Sequence, residues 1–317
     1  MIDKLIGNTP MVKIKYRYQD KVGYVYAKLE YYNYTGSIKD RVAYYILKRS
    51  KELGLLKDNQ PIVEATSGNT GISFAALGAY YNHPVHIFMP DWASVERVSI
   101  MKLYKAHVHL VSKEEGGFRE AIRRSEEYAK KLDGFLPRQF ENNLNVEAHY
   151  NTTAKEIVSS MPLVDTFVSG IGTGGTLIGV AKYLKEKDKT IKIIALEPNK
   201  MPLLSGGKII GNHKIEGIGD DFIPKIVDKE YIDDIIVIND EDAINMSRLL
   251  AKKLGLGVGI SSGANFLASV LSNGNNVATV FADDFKKYLT TDLTKEIDTN
   301  PKLLSNQIEL LDMEVIN

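Results

Sequence analysis

The chain has 317 residues, 44% of them apolar and 25% charged, and Lys plus Arg equals Asp plus Glu at 40 each. That balance gives no global field to favour nucleic acid or an anionic membrane, and the length suits two α/β units with sizeable cores. The chain has no cysteine, which excludes disulfides, thiolate catalysis and Cys-ligated metals.

Met1 to Pro10 is polar and turn-like, with no apolar secretory core. The longest apolar stretch, Ile72 to Tyr81, is too short to span a bilayer, so a cytoplasmic chain without membrane attachment is expected. Val25 to Leu29 reads as the first strand. Asp40 to Leu53 reads as a helix with Val42, Ile46, Leu47 and Leu53 inward and Gly54 ending it. Next come a strand at Ile62-Val63, a helix from about Thr70, a strand from Val85 to Met89 and a helix from Val95 to Tyr104. A strand from Val108 to Val111 and a charged helix from Arg119 to Leu132 close this block.

A second series begins near Leu144, with buried strands expected at Thr166–Ser169, Lys192–Glu197, Ile235–Ile238 and Val277–Phe281. Such alternation implies mostly parallel sheets flanked by helices, in two α/β lobes with a ligand cleft between them. The tail after Tyr288 is polar and weakly patterned.

Two glycine-rich loops stand between a strand and a helix. Gly170-Ile-Gly172-Thr173-Gly174-Gly175-Thr176 lets backbone N–H groups approach an anion at a helix N-terminus, and its two threonines add hydroxyl donors. A phosphate is the natural guest. The spacing Gly170, Gly172, Gly175 also satisfies the dinucleotide fingerprint, with Glu197 where a ribose-binding acid would lie, so a nicotinamide-dependent dehydrogenase remains an alternative here. Thr66-Ser67-Gly68-Asn69-Thr70-Gly71, in the first block, offers hydroxyls, an amide and backbone N–H groups with no charged side chain. It suits a small carboxylate. A dehydrogenase needs no second anion cradle of this kind, whereas an enzyme gripping both a phosphate and an amino-acid carboxylate does.

Between the first strand and helix lies Asn33-Tyr-Thr-Gly-Ser37-Ile-Lys39-Asp-Arg41. A lysine at the start of a helix is disfavoured as a cation by the dipole, and a depressed pKa is what a Schiff-base lysine requires. From Gly7-Asn-Thr-Pro10 to about Tyr288 the sequence resembles the cysteine synthase and cystathionine β-synthase family of fold-type-II pyridoxal-phosphate (PLP) enzymes, of the tryptophan synthase β type. The resemblance implies that Lys39 carries PLP through a Schiff base, that Asn69 hydrogen-bonds the phenolic oxygen, and that Gly172, Thr173, Gly174, Gly175 and Thr176 cradle the phosphate. It places the substrate carboxylate on Thr66, Ser67, Gly68, Thr70 and Gln139, and sets Ser261, in Gly259-Ile-Ser-Ser-Gly-Ala264, against the pyridine nitrogen. A neutral hydroxyl there does not hold the ring protonated, which makes it a weaker electron sink and favours expulsion of a β-substituent to give an aminoacrylate.

The resemblance further implies a homodimer. It also implies a smaller substrate-binding lobe at residues 40–144 and a larger phosphate-binding lobe formed by residues 1–39 and 145–317. The leading activity it implies is cysteine synthase, in which an activated serine such as O-acetylserine and sulfide give cysteine. The alternatives sharing that chemistry are a cysteine-consuming lyase that releases hydrogen sulfide and adds water to give serine, and a cystathionine β-synthase with a thiol acceptor.

Three segments depart from the family pattern: Tyr34-Thr35 before the lysine, Asp220-Asp221 where small residues are common, and Ala282-Asp283-Asp284-Phe285 in place of Pro-Asp-Ser-Gly. Asp220 and Asp221 read either as a solvated turn or as a carboxylate in the pocket that repels hydrosulfide and activates water. Asp283 and Asp284 read as caps or as groups altering polarity near the ring. His107 and His109 alternate along a strand without a third ligand in register, so an exposed face and no metal are expected. Trp92 is expected at a lobe boundary. Tyr31, Tyr32, Tyr34, Tyr44 and Tyr45 read as either a dimer surface or core.

Overall fold

The structure, a computed structural model, describes residues 2–295 and 300–316. After a first strand β1 (Met11–Tyr18) and its hairpin partner β2 (Lys21–Leu29), the chain forms α1 (Lys39–Glu52), β3 (Ile62–Ala65), α2 (Asn69–Tyr81), β4 (Val85–Pro90), α3 (Val95–Leu103), β5 (His107–Val111) and α4 (Gly117–Leu132). Strands β3, β4 and β5 make a parallel three-stranded sheet. Every residue of β3 and β4 is buried, as helices on both faces require. On one face lie Val42, Ile46 and Leu47 of α1 with Ile72 and Phe74 of α2; on the other lie Ala121 and Ala129 of α4.

The remainder comprises α5 (Asn143–Asn151), α6 (Thr153–Ser160), β6 (Thr166–Gly170), α7 (Gly175–Lys187), β7 (Lys192–Pro198), β8 (Asp234–Ile238), α8 (Asp240–Leu254), α9 (Ile260–Leu271), β9 (Val277–Phe281) and β10 (Glu309–Ile316). A seven-stranded sheet runs β10-β1-β2-β9-β6-β7-β8. Helices α6 and α7 cover one face through Ile157, Leu177 and Leu184; α8 and α9 cover the other through Leu250, Phe266 and Leu267. The α/β architecture expected from the strand-helix alternation is present.

Three details differ from the sequence expectation. β1 alternates apolar residues with Lys13, Lys15 and Arg17, the pattern of a half-exposed antiparallel strand rather than of a buried parallel one. The polar tail is not loose. It forms β10, antiparallel to β1, with Glu314 opposite Lys13 at 2.9 Å and Glu309 against Arg17. Leu53 is exposed, because the helix has ended at Glu52 before its inward stripe would reach it. On β5, His107 is exposed, as the alternation suggested, and stacks on His86 at 4.6 Å, while His109 is half-buried and stacks on Phe88 at 4.4 Å. Burial and the neighbouring imidazoles push His86 down to about 4.

Behind the start of α1 four charges are packed together. Arg41 donates to Glu30 through Nε (2.6 Å) and Nη2 (2.9 Å), and to both oxygens of Glu156 at 2.6 and 2.7 Å. Lys28 Nζ reaches Glu156 at 2.8 Å, and Thr9 donates its hydroxyl to Glu30 at 2.8 Å. The cluster joins β2, α1 and α6, that is, elements packed on different sheets. Burial alone would raise the Glu156 carboxyl, but Arg41 and Lys28 hold it down at about 2. A carboxyl whose pKa is lowered in the fold contributes stability above its ordinary range near 4.5, and that contribution is lost as pH falls towards 2. Arg41→Leu is expected to cost about 3–5 kcal/mol in denaturant unfolding at neutral pH, because it leaves the buried Glu30 without its cation and Glu156 with Lys28 alone. The share of the loss that Glu156 carries should shrink as pH falls towards 2 and its carboxyl takes up a proton.

Candidate active site

The cleft between the two sheets has a volume of about 640 Å³, and it gathers segments far apart in the chain. Every residue singled out for cofactor, substrate or catalysis lines it except Gly175, which lies behind the wall. The strand-to-helix order explains the convergence: in parallel sheets the carboxyl ends of the strands and the N-termini of the following helices share one edge. Lys39 opens α1, Asn69 opens α2, Gly175 opens α7 and Ser261 lies in the first turn of α9.

Lys39 is half-buried on the cleft wall. Burial pushes its ammonium down from 10.5, with Asp220 and Asp283 opposing. Its neighbour Asp40 turns away to accept from the Thr35 backbone N–H at 2.7 Å and the Thr35 hydroxyl at 2.6 Å. Thr35, one of the departures from the family pattern, therefore shapes the lysine loop.

The two anion loops are mechanically joined. Thr70 donates its hydroxyl to Gln139 Oε1 at 2.7 Å, and Gln139 Nε2 donates to the Ala65 carbonyl at 2.8 Å. Asn145 Nδ2 then bridges the Gln139 carbonyl and Thr173 Oγ1, both at 2.9 Å. Gly172 is indispensable for close approach, since a Cβ there would sit 2.3 Å from the Gly217 carbonyl oxygen. A Cβ on Gly175 would strike the Asn145 amide at 1.9 Å. His149, fully buried and held neutral by burial with Lys39 and Arg41 adding, bridges the hydroxyls of Thr153 at 2.9 Å and Thr176 at 3.2 Å.

Sequence reasoning missed Asn145, His149 and Arg97. The carboxylate loop is not free of charged neighbours, as its own sequence suggested. Arg97 of α3 is buried against Gly68, where a Cβ would meet its Cδ at 2.5 Å. Its guanidinium pairs with Glu216 and lies 4.6 Å from the Tyr288 ring centroid. An arginine on an otherwise inward helical position was the available signal. Trp92 lines the cleft mouth and is exposed.

The two mouth aspartates separate. Asp221 is held outward by Arg119 of α4, which donates from Nε to its carboxylate at 2.7 Å and from Nη2 to its carbonyl at 2.8 Å. Asp220 is half-buried, and burial, with Asp221 adding and Lys39 opposing, pushes its carboxyl up to about 7. Asp283 is fully buried and accepts from Asn69 Nδ2 at 2.7 Å. Asp284 caps the following turn by accepting from the Lys286 N–H at 3.0 Å.

Glu197 is not free to hold a ribose. It is buried and accepts from the backbone N–H groups of Leu204 at 2.8 Å and Ser205 at 3.1 Å. The glycine loop therefore lacks the acidic partner a dinucleotide needs. A phosphate-bearing pyridine aldehyde fits better. A lysine with a lowered pKa faces a glycine cradle with buried hydroxyls, in which a Cβ on Gly172 would clash, and Asn69 lines the same cleft.

Residues 2–283 match the family described as pyridoxal-phosphate dependent enzymes. A cysteine synthase of Staphylococcus aureus is 40% identical over 299 residues, covering 92% of this chain and 96% of its own. Cysteine synthase B of Campylobacter jejuni is 42% identical over 298 residues, covering 92% and 97%. Among solved structures, a hydrogen sulfide-producing enzyme from Fusobacterium nucleatum superposes with a TM-score of 0.95 at 46% identity, covering 99% of this chain and 97% of that one.

Gly172→Ala is expected to displace the Gly217 turn and weaken pyridoxal-phosphate binding by about tenfold or more, read by titration calorimetry of the cofactor-free protein.

Proposed function

We propose a direction of reaction for a chain that belongs to the pyridoxal-phosphate-dependent enzyme family, as a cysteine synthase-like enzyme of β-elimination and β-replacement: it consumes cysteine, releases hydrogen sulfide and forms serine with water as the acceptor. The observation that carries this reading is Asp220, a carboxyl turned into the cleft towards Lys39 with its pKa raised to about 7. The likeness to the hydrogen sulfide-producing Fusobacterium enzyme supports it.

When bound, the cofactor withdraws electrons from the α-carbon of an amino acid joined to it through nitrogen. Gly172, Thr173, Gly174, Gly175 and Thr176 would hold its phosphate, Asn69 its phenolic oxygen and Ser261 its pyridine nitrogen. Thr66, Ser67, Gly68, Thr70 and Gln139 orient the substrate carboxylate, so that the Cα–H bond faces Lys39. Lys39 Nζ, biased towards its neutral form by burial, takes the α-proton and later returns it. The Cβ–S bond breaks and hydrosulfide leaves. Asp220 takes a proton from water as the new Cβ–O bond forms and then releases it to solvent, where it balances the hydrosulfide already expelled. Cysteine and water thus become serine and hydrogen sulfide without any other reactant. A carboxylate beside the acceptor position also repels hydrosulfide and so resists the reverse step. Asp221 keeps the turn in place through Arg119 instead of touching substrate.

A second reading, synthesis of cysteine from an activated serine and sulfide, is favoured by the identity of 40–42% to the two cysteine synthases. The residues 40–144 act as the substrate-binding lobe in either direction, and the remaining residues carry the phosphate. A cytoplasmic homodimer accords with the Tyr31–Tyr32 pair, whose rings stand 4.9 Å apart and leave Tyr32 exposed. No helix among the described residues is long and apolar enough to cross a membrane.

Asp220→Asn is expected to lower serine and sulfide formation from cysteine by about a hundredfold, while the cofactor's visible absorbance persists. In the unsubstituted enzyme the water-dependent activity should rise with pH through about 7, as Asp220 loses its proton, and the variant should lack that limb. Mixing the enzyme with cysteine or O-acetylserine and identifying the products by chromatography decides the direction. Unchanged sulfide release in the variant sinks the proposal, and cysteine formed from O-acetylserine and sulfide in preference supports the second reading.

A further inference from the structure

The adjacent carboxylates Asp283 and Asp284 have unlike surroundings. Asp284 caps a surface turn, whereas Asp283 is completely buried. Asp283 Oδ2 accepts two hydrogen bonds, from Asn69 Nδ2 at 2.7 Å and from the Tyr288 hydroxyl at 2.8 Å. Its Oδ1 has no partner and fills the space beside Gly259, where a Cβ would lie 2.1 Å away. The backbone around it is equally committed. Asp283 forms an isolated antiparallel bridge with Ser37, its carbonyl accepts from Gly259 N–H at 3.0 Å, and the Ala282 carbonyl accepts from Ile38 N–H at 2.9 Å. One residue thus touches the segments that deliver Lys39, Asn69 and Ser261.

The side-chain contact with Asn69 has a chemical consequence that packing alone does not. An asparagine amide can present either its oxygen or its NH2 group in a given direction, and the two orientations fill nearly the same volume. Asp283 Oδ2 already accepts from the Tyr288 hydroxyl and so presents an acceptor to the amide, which draws the NH2 end of Asn69 towards itself. The remaining N–H of that group is then fixed in direction, as is the unpartnered Asn69 Oδ1. Neither of the other groups near the amide can make that choice. Ser73 donates its hydroxyl to the Asn69 carbonyl at 3.1 Å, and Tyr288 spends its hydroxyl on Asp283.

We propose that Asp283 is a positioning residue that selects the orientation of the Asn69 amide, and thereby makes Asn69 a hydrogen-bond donor to the phenolic oxygen of the cofactor. The proposal rests on the reading that pyridoxal phosphate lies on Lys39 with that oxygen against Asn69. Replacing Asp283 by Asn removes the constraint while keeping the shape, because a second amide offers either an acceptor or a donor. Tyr288→Phe removes the other hydrogen bond to the same carboxylate without freeing Asn69.

The test uses the holoenzyme reconstituted with pyridoxal phosphate. Asp283→Asn is expected to change the position or the relative heights of the cofactor's visible and near-ultraviolet bands. It should lower kcat about tenfold to a hundredfold, with KM altered far less. Tyr288→Phe should keep the unsubstituted spectrum. Unchanged bands in Asp283→Asn, or the same change in both variants, overturn the proposal, the second outcome because it marks general loosening of the site. Should Asp283→Asn fail to fold, the exchange Asn69→Asp with Asp283→Asn restores a buried hydrogen bond between the two positions. That double variant should fold with altered bands, since a carboxylate then faces the phenolic oxygen, and normal bands in it overturn the proposal. If the unsubstituted protein gains no visible band that Lys39→Ala abolishes, the site reading itself fails and takes this inference with it. A normal Lys39-dependent band with an indifferent Asp283 defeats the positioning role alone.

Discussion

The cluster of Arg41, Glu30, Glu156 and Lys28 is the constraint on which the rest of the site depends. Two cations and two carboxylates removed from water carry a desolvation penalty of several kcal/mol per ion, recovered only when the geometry is close to ideal. Here Arg41 uses both edges of its guanidinium, one on each carboxylate. The demand for that geometry fixes the first turn of α1 relative to β2 and α6. Lys39 is two residues earlier, so its backbone is set by the same clamp, and Asp40 is drawn the other way by Thr35. Of three consecutive charged residues, two are neutralised behind the wall. Lys39 is left to face the cleft.

A similar economy links the two anion loops. The carboxylate loop belongs to the three-stranded sheet and the phosphate loop to the seven-stranded one, yet Thr70, Gln139, Asn145 and Thr173 form one hydrogen-bonded line between them. On the proposed assignment of the two loops, such a line would keep the distance between substrate carboxylate and cofactor phosphate nearly constant, and so set where the substrate's Cα and Cβ lie relative to Lys39. The glycines serve the same end. Gly172 and Gly175 leave no room for a side chain because the Gly217 carbonyl and the Asn145 amide already occupy it.

Much of this was legible in the sequence, and what was not has a physical reason. The parallel strands betray themselves because both faces are covered, which makes runs such as Val277–Phe281 wholly buried and, Thr279 apart, apolar. β1 and β10 escape that signal, because an edge hairpin and its late partner alternate charges that only pair once the strands are aligned. Lys39, Asn69 and the two loops sit at strand-to-helix junctions, and Ser261 in the first turn of α9 after α8, all places where local sequence carries its own geometry. Arg97, Asn145 and His149 act from helix interiors. Their roles come from what lies across the cleft, such as Glu216, Thr173 and Thr176, and one element's pattern holds no information about another's neighbours. The dinucleotide fingerprint misled for the same reason. Glu197 sits at the right spacing, but it is spent on the backbone of the following turn.

The mouth shows how two neighbouring residues of the same type acquire different chemistry. Arg119 and Arg97, both from helices of the three-stranded sheet, seize Asp221 and Glu216, which flank the turn carrying Asp220. Between those two anchored carboxylates Asp220 lines the cleft, and burial there raises its pKa to about 7. A carboxyl titrating near neutrality is a far stronger base than one at 3.8, yet a large fraction of it is still ionised at cellular pH. In the proposed reaction the same negative charge that would draw a proton from water would repel hydrosulfide. On the proposed direction of reaction, water would be favoured as the acceptor by two effects with one origin, and both would depend on the ion pairs that hold the turn, Arg119 with Asp221 and Arg97 with Glu216.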